Sequence, residues 1–206
     1  KVERMFGRQI RQQIEEVLGA LEVPNARVEM EDSGALPFVI GARLEAAVKK
    51  LKATDRSWIP ALIEPNSYES RKEQFRFSRL YLPGNTPSMM LNAGIHKPEG
   101  VILDLEDAVA PDAKADARES ILAAVGDRSY GAREVLVRVN GLDTEWGRDD
   151  LEMAVSAGVD GVLVPKITRG KDVRIVNRLL NDAGASPSLG LWVMIETPLA
   201  ILNIKK

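Results

Sequence analysis

Cysteine is absent from this 206-residue chain, and histidine occurs once, as His96. Without thiols there is no disulfide, no thiolate nucleophile and no cysteine-built zinc site. With one imidazole a multi-histidine metal site is impossible, and any Ser-His-Asp device would have to use His96, which sits in a polar loop and reads as a surface residue. Proton transfer and metal binding therefore fall to carboxylates, Lys, Arg, Tyr or hydroxyls. Charge of one sign is also missing. The 28 basic and 30 acidic side chains leave a formal net charge of −2, which gives no electrostatic reason to expect nucleic acid or an anionic membrane as partner. No uncharged apolar run approaches the roughly 18 residues of a spanning helix, and the N-terminus has no signal-like apolar core, so a cytoplasmic location is expected. What is there, 45% hydrophobic and 28% charged residues, suits a globular protein able to bury a core. Lys1 in place of Met, and an end at Lys206 just after an apolar run, lead us to expect a piece of a longer chain.

Val2, Met5, Phe6, Ile10, Ile14, Val17, Leu18 and Leu21 recur at three- and four-residue steps among Arg, Gln and Glu, the pattern of an amphipathic helix. Pro24-Asn25 breaks it. Arg27 to Glu31 alternates like a short strand and Asp32-Ser33-Gly34 reads as a turn. Ile40, Leu44, Ala47, Val48 and Leu51 then mark a second helix, with lysines at its C-terminal end where cations suit the dipole. Residues 54–77 hold Pro60, Pro65, Trp58 and scattered charge without periodicity and read as a linker.

From Leu80 the texture changes. Short apolar runs start at residues 80, 101, 135, 161 and 191, with helical patterns between them. Continuous apolar strands alternating with helices predict a parallel sheet covered on both faces, either an open doubly wound sheet or a (β/α)8 barrel. The ends of the runs favour the barrel. They deliver Pro83-Gly84-Asn85, Asp104 to Asp107, Arg138-Val139-Asn140, Pro165-Lys166 and Glu196-Thr197-Pro198, a polar group at every C-terminal end, whereas an open sheet concentrates function at one switch point. No phosphate-binding glycine motif follows the first run.

Glu196 is presented at a rim as a hard oxygen donor, either for Mg²⁺ or for a rim Lys or Arg. Arg138 ends an apolar strand, and a buried guanidinium needs an anion, so it points to a substrate oxyanion or to an ion pair with Glu106 or Asp104. Asp104, Glu106 and Asp107 put three acids in four residues, which requires cations: Mg²⁺, Arg138, Lys166, or Lys114 and Arg118 on the next helix. Lys166 is a Schiff-base amine or a rim cation. Met89, Met90 and Trp192 read as core.

Leu80-Tyr81-Leu82-Pro83-Gly84-Asn85, Val101 to Val109 with Lys114 and Arg118, Val137-Arg138-Val139-Asn140, Pro165-Lys166 and Ile195-Glu196-Thr197-Pro198 resemble, in order, motifs of the citrate lyase β-subunit within the HpcH/HpaI aldolase superfamily. Residues 2–53 resemble the C-terminal part of the citrate lyase acyl carrier subunit, through Phe6-Gly7, Asp32 to Leu36 and Ala42 to Ala46. The resemblance implies an α/β chain of three parts: a small α+β carrier-like domain over 1–53, a linker over 54–77, and about five βα units of a partial TIM barrel over 78–206.

It also implies Mg²⁺-dependent cleavage of a 3-hydroxyacyl thioester, citryl on a carrier giving acetyl carrier and oxaloacetate. Arg138, Glu106 and Asp104 would be catalytic; Arg138, Glu196, Arg79 and Lys166 would bind substrate, and Glu196 the metal. The substrate handle would be CoA or a carrier-bound phosphoribosyl-dephospho-CoA arm, and the partners other citrate lyase subunits or further copies of the chain. Phe77 stands where the family usually has Arg, so Arg76 or Arg79 would supply that cation. The second metal ligand, an Asp, is expected after the fifth strand, and the carrier's attachment serine upstream of the matched part, so Ser33 is not it. A malyl- or citramalyl-CoA lyase is the alternative enzyme, and a non-catalytic assembly unit the alternative of another class. The 206 residues alone are expected to be inactive.

Overall fold

The computed structural model describes residues 2–58, 71–127 and 133–205. Much of the expected linker, residues 59–70, lies outside them. Strands β1 (Arg79–Pro83), β2 (Gly100–Asp104), β3 (Glu134–Arg138), β4 (Gly161–Val164) and β5 (Gly190–Val193) form one sheet in chain order, every pair parallel. A doubly wound sheet reverses its strand order at a switch point; unbroken sequential order is that of a barrel wall. The fold is thus a five-stranded portion of a TIM barrel.

Strand alternation explains why the runs are apolar throughout. Val101, Leu103, Val135, Val137, Val162 and Val164 face the helical layer and share its core with Ala117, Ile121, Leu151, Ala154, Val176 and Leu180. Ile102, Leu136 and Leu163 point the other way and cluster with Trp192 and Met194 on the inner face. The covering helices are α3 (Pro87–Asn92), α4 (Lys114–Asp127), α5 (Gly147–Ala157) and α6 (Gly170–Asp182), with α7 (Pro198–Asn203) after the fifth strand. Helix α5 stops at Gly158, whose φ of 67° is the left-handed cap that glycine adopts without a Cβ penalty. Thr197 caps α7 by accepting the Ala200 N–H at 3.1 Å, which is why the helix starts immediately after Glu196.

The N-terminal part consists of α1 (Val2–Ala20) and α2 (Pro37–Leu51), joined through Val17, Leu21, Leu44 and Val48. One expectation is corrected here. Arg27 to Glu31 carries no strand: only Val28 and Met30 are apolar, Arg27 pairs with Glu29 in solvent, and among the described residues no neighbouring strand offers a ladder. This part also packs against the barrel helices. Phe38 and Ala42 of α2 enter the main core beside the barrel helices, and Lys49 and Lys50 pair with Glu119 and Asp116 of α4, each at 2.8 Å. Two short helices bury too little surface alone, so α2 leans on the barrel for the rest.

Candidate active site

Asp104 closes β2 and Arg138 closes β3, and the two are paired in register. Both therefore leave the sheet on the inner face, above Ile102 and Leu136. Arg138 Nε donates to Asp104 Oδ1 and Nη2 to Oδ2, both at 2.7 Å, while its Nη1 lies 3.1 Å from Glu106 Oε2. Asp104 is 2% exposed and also accepts the N–H groups of Glu106 at 2.9 Å and Ala108 at 3.2 Å. Burial by itself raises the Asp104 carboxyl, but Arg138 and those N–H groups overcome it and hold the group below its ordinary value. The same pair raises Arg138. The Tyr81 ring lies beneath the guanidinium, 5.2 Å from centroid to Cζ. Gly84 makes the approach of β1 possible: its N–H meets Asp104 O at 2.8 Å, and a Cβ there would come equally close to that oxygen.

The chain of charges continues outward. Glu106 Oε1 lies 2.6 Å from Lys166 Nζ, and Asp107 is 3.8 Å from the same ammonium. The Glu106 hydrogen bond raises Lys166 above its ordinary value although the lysine is 58% exposed. Lys166 sits at φ 54°, a left-handed conformation that a residue with a Cβ adopts at a cost of about 1–3 kcal/mol, and this aims its N–H at Glu196 Oε1, 2.7 Å away. Four sequence-chosen residues, Asp104, Arg138, Glu106 and Lys166, thus form one ion-pair chain, with exposed Glu196 tied to it through the Lys166 backbone. Beside Lys166 opens a cleft of about 430 Å³ bordered by Gly141, Asp143, Thr168 and Asp172. Among the described residues no three His or acidic groups cluster to hold a metal.

Lys114 and Arg118 do not serve the acids as a sequence reading allows. Lys114 Nζ is buried and donates to the carbonyls of Leu105, Glu106 and Val109 at 2.7, 2.9 and 3.1 Å, with the Trp146 ring 5.1 Å away. It braces the acid loop from behind. Arg118 pairs with Asp150, 3.0 Å away, and Asp150 accepts both the backbone and side-chain N–H of Asn140. Asn140 in turn donates to Leu105 O at 2.9 Å. This Asn140–Asp150–Arg118 network was missed because Asp150 lies in an unremarkable helix start and nothing local marks its partners.

Arg79 and Arg76 are not brought to the cluster. Arg79 opens β1 opposite Gly100, the N-terminal end of the sheet, and stacks 4.7 Å from the Trp192 ring centroid. Arg76 lies at the same distance from that ring and grips Glu134, itself 1% exposed, at 2.6 and 2.7 Å. Parallel strands put their first and last residues at opposite ends, so Arg79, first in β1, and Arg138, last in β3, occupy different ends of the sheet. Trp192 is half-buried between two guanidiniums. His96 is exposed, as expected.

A parallel barrel wall with its charged groups gathered beyond the C-terminal strand ends is the layout of a TIM-barrel enzyme. The chain belongs to the HpcH/HpaI aldolase/citrate lyase family, whose model matches residues 78–206. Residues 1–51 match an acyl-carrier family described as malonate decarboxylase delta subunit. The chain is 42% identical over 126 residues to a (3S)-malyl-CoA thioesterase of Cereibacter sphaeroides, covering 61% of this chain and 42% of that protein. It is 39% identical over 140 residues to citrate lyase subunit beta of Escherichia coli K12, covering 66% and 46%. Among solved structures, the lead(II) complex of Haloferax volcanii malate synthase superposes with a TM-score of 0.56 at 18% identity, covering 66% of this chain and 45% of that one, a likeness of fold. The chain spans less than half the length of these curated relatives.

Proposed function

We propose that this chain carries part of the active site of a carbon–carbon lyase that splits a 3-hydroxyacyl thioester, citryl on an acyl carrier giving acetyl carrier and oxaloacetate. The observation that carries the reading is the full engagement of Arg138, two donors on Asp104 and the third nitrogen on Glu106, at the C-terminal end of the barrel wall. In the reaction the substrate hydroxyl loses its proton, its oxygen becomes the new ketone, and the carbon–carbon bond breaks. The bonding pair passes into the thioester as an enolate, which is then protonated on carbon. A base and a stabiliser of developing charge are both needed.

In this reading a substrate oxyanion displaces Glu106 from Arg138 Nη1. The guanidinium then meets the developing charge, and the freed Glu106 carboxylate accepts the hydroxyl proton. Asp104, buried with both oxygens engaged, acts by fixing Arg138 rather than by touching substrate. Lys166 steadies a substrate carboxylate. Glu196 suits Mg²⁺ because it is an exposed hard-oxygen donor with one oxygen taken by the Lys166 N–H. Mg²⁺ bound there supplies Lewis-acid polarisation of a substrate oxygen. Residues 1–53 form the acyl-carrier-like part and 78–206 the barrel part, with a CoA-type or carrier-bound thioester as substrate and citrate lyase subunits or further copies as partners.

A second reading is hydrolysis of a malyl-CoA-type thioester, favoured by the 42% identity to proteins named (3S)-malyl-CoA thioesterase. We further propose that the 206 residues alone turn over neither substrate. Five strands leave the inner face open, and Ile195, Leu199, Ile201, Leu202 and Ile204 around β5 and α7 are exposed. The test compares this chain with one lengthened to the size of its relatives, using citryl and malyl thioesters with Mg²⁺. Oxaloacetate and acetyl thioester from the longer chain support the lyase; free thiol with intact hydroxy acid selects hydrolysis. Equal turnover by the short chain overturns the need for more barrel.

A further inference from the structure

At the contact between α2 and α4, one lysine serves two carboxylates. Lys49 Nζ lies 2.8 Å from Glu45 Oε1 and 2.8 Å from Glu119 Oε1, and donates to Ser57 Oγ at 3.0 Å. Glu45 is 1% exposed, and its other oxygen accepts the Trp58 N–H at 2.9 Å. Among the described residues no other cation faces Glu119: Lys50 of α2 is taken by Asp116, and Arg118 of α4 turns to Asp149 and Asp150 of α5. Two carboxylates and one ammonium leave an uncompensated negative charge in a largely dry contact, which a proton cancels at least cost.

We propose that the face of α4 bearing Glu119 is a proton-dependent docking surface for the chain's own carrier-like part, gripping α2 when Glu119 is protonated and loosening when it ionises. The geometry has the parts such a latch needs. Phe38 and Ala42 supply apolar grip, Lys50–Asp116 supplies an exposed pair that steers, and the Glu45–Lys49–Glu119 triad between them carries the proton. Burial and the facing Glu45 push Glu119 up to about 7 against the opposing pull of Lys49, from an ordinary value of 4.5.

The sign follows from linkage. The docked state binds the proton more tightly than the undocked one, so docking is strongest below the ordinary carboxylate range. It weakens as pH rises towards 7, about tenfold per pH unit, and levels off above that. The span between the two values makes the total loss on the order of a hundredfold. The inference does not rest on the lyase reading, since it concerns only how two parts of the chain hold each other.

Amide hydrogen exchange on the full 206-residue chain tests it, comparing wild type with Glu119→Gln, a neutral mimic of the protonated side chain. The ratio of their α2 protection factors cancels the intrinsic pH dependence of exchange, and amides of Val101 to Leu103 report whether the barrel core itself is unchanged. The ratio should be near one at pH 4.5, with the wild type falling behind by about tenfold per unit up to pH 7. Lys49→Met, which removes the cation and keeps both acids, should lose α2 protection at pH 7 while Glu119→Gln gains it. Parallel profiles for wild type and Glu119→Gln across this range, or a gain of protection in Lys49→Met, overturn the proposal.

Discussion

Asp104 and Arg138 face each other in register across two parallel strands, and each carboxylate oxygen takes one guanidinium N–H at 2.7 Å. Adjacent strand ends give this pair a geometry that neither residue has alone. Because β2 and β3 are fixed by the sheet, little side-chain freedom remains to be lost when the fork closes on the carboxylate. The group that would meet substrate charge is thus aimed before any ligand arrives.

Removing one partner of this pair should be costly. Asp104→Ala leaves a buried guanidinium without its main anion, and a loss of about 3–5 kcal/mol is expected in urea unfolding at pH 7. The Asp104→Leu, Arg138→Met double variant should lose well under half of that, since no charge is then stranded. Because the folded state holds the Asp104 carboxyl below its ordinary value, the wild-type advantage is present above pH 4 and disappears as pH falls through the folded value. A double variant as unstable as Asp104→Ala would mean that the stranded charge is not the cause.

Asp160 behaves in the opposite sense. Burial pushes its carboxyl up to about 6, although it accepts the Val135 N–H at 2.8 Å. A group raised on folding contributes most below its ordinary value, and that contribution is lost as pH rises to 6. Asp160→Asn keeps the acceptor and removes the charge. We expect stabilisation of about 1–2 kcal/mol at pH 7.5, after allowing for solvent screening, and no gain at pH 3.5. A uniform effect at both pH values would rule out the charge as the source.

Lys166 owes its raised pKa first to Glu106. In Glu106→Gln the pH profile of Lys166 acetylation, followed by mass spectrometry, should shift downward toward that of an ordinary lysine, while the profile of exposed Lys171 stays put. An unshifted Lys166 would show that the contact with Glu106 does not persist in solution.

Lys114 places its charge on three backbone carbonyls. Lys114→Met retains the stem but strands those acceptors in a buried setting, for an expected cost of about 2–4 kcal/mol. The local readout is faster exchange at the N–H groups of Glu106 and Ala108, which Asp104 holds. If stability falls with those amides unaffected, Lys114 supports the helix and not the acid loop.

Within the HpcH/HpaI portion, the chain's own pattern already contained the order of strands and the side from which function emerges. Parallel strands buried on both faces must be apolar along their length, so each first polar residue after a run, such as Asp104, Lys166 or Glu196, marks a strand end without any knowledge of neighbours. Partner choice was another matter. Whether Arg138 meets Asp104 depends on register, and whether Lys114 meets a carboxylate or a carbonyl depends on how the loop before α4 turns. The resemblance offered Arg76 or Arg79 in place of an arginine expected at Phe77, but where they sit depends on the sheet: a strand's start and end lie at opposite poles, and both stack on Trp192. The Glu45–Lys49–Glu119 contact joins residues some seventy positions apart through the packing of α2 on α4. Spacing along a chain settles which face and which end a side chain takes; the charge it meets there is set by a second element, and only the folded packing brings that element within 3 Å.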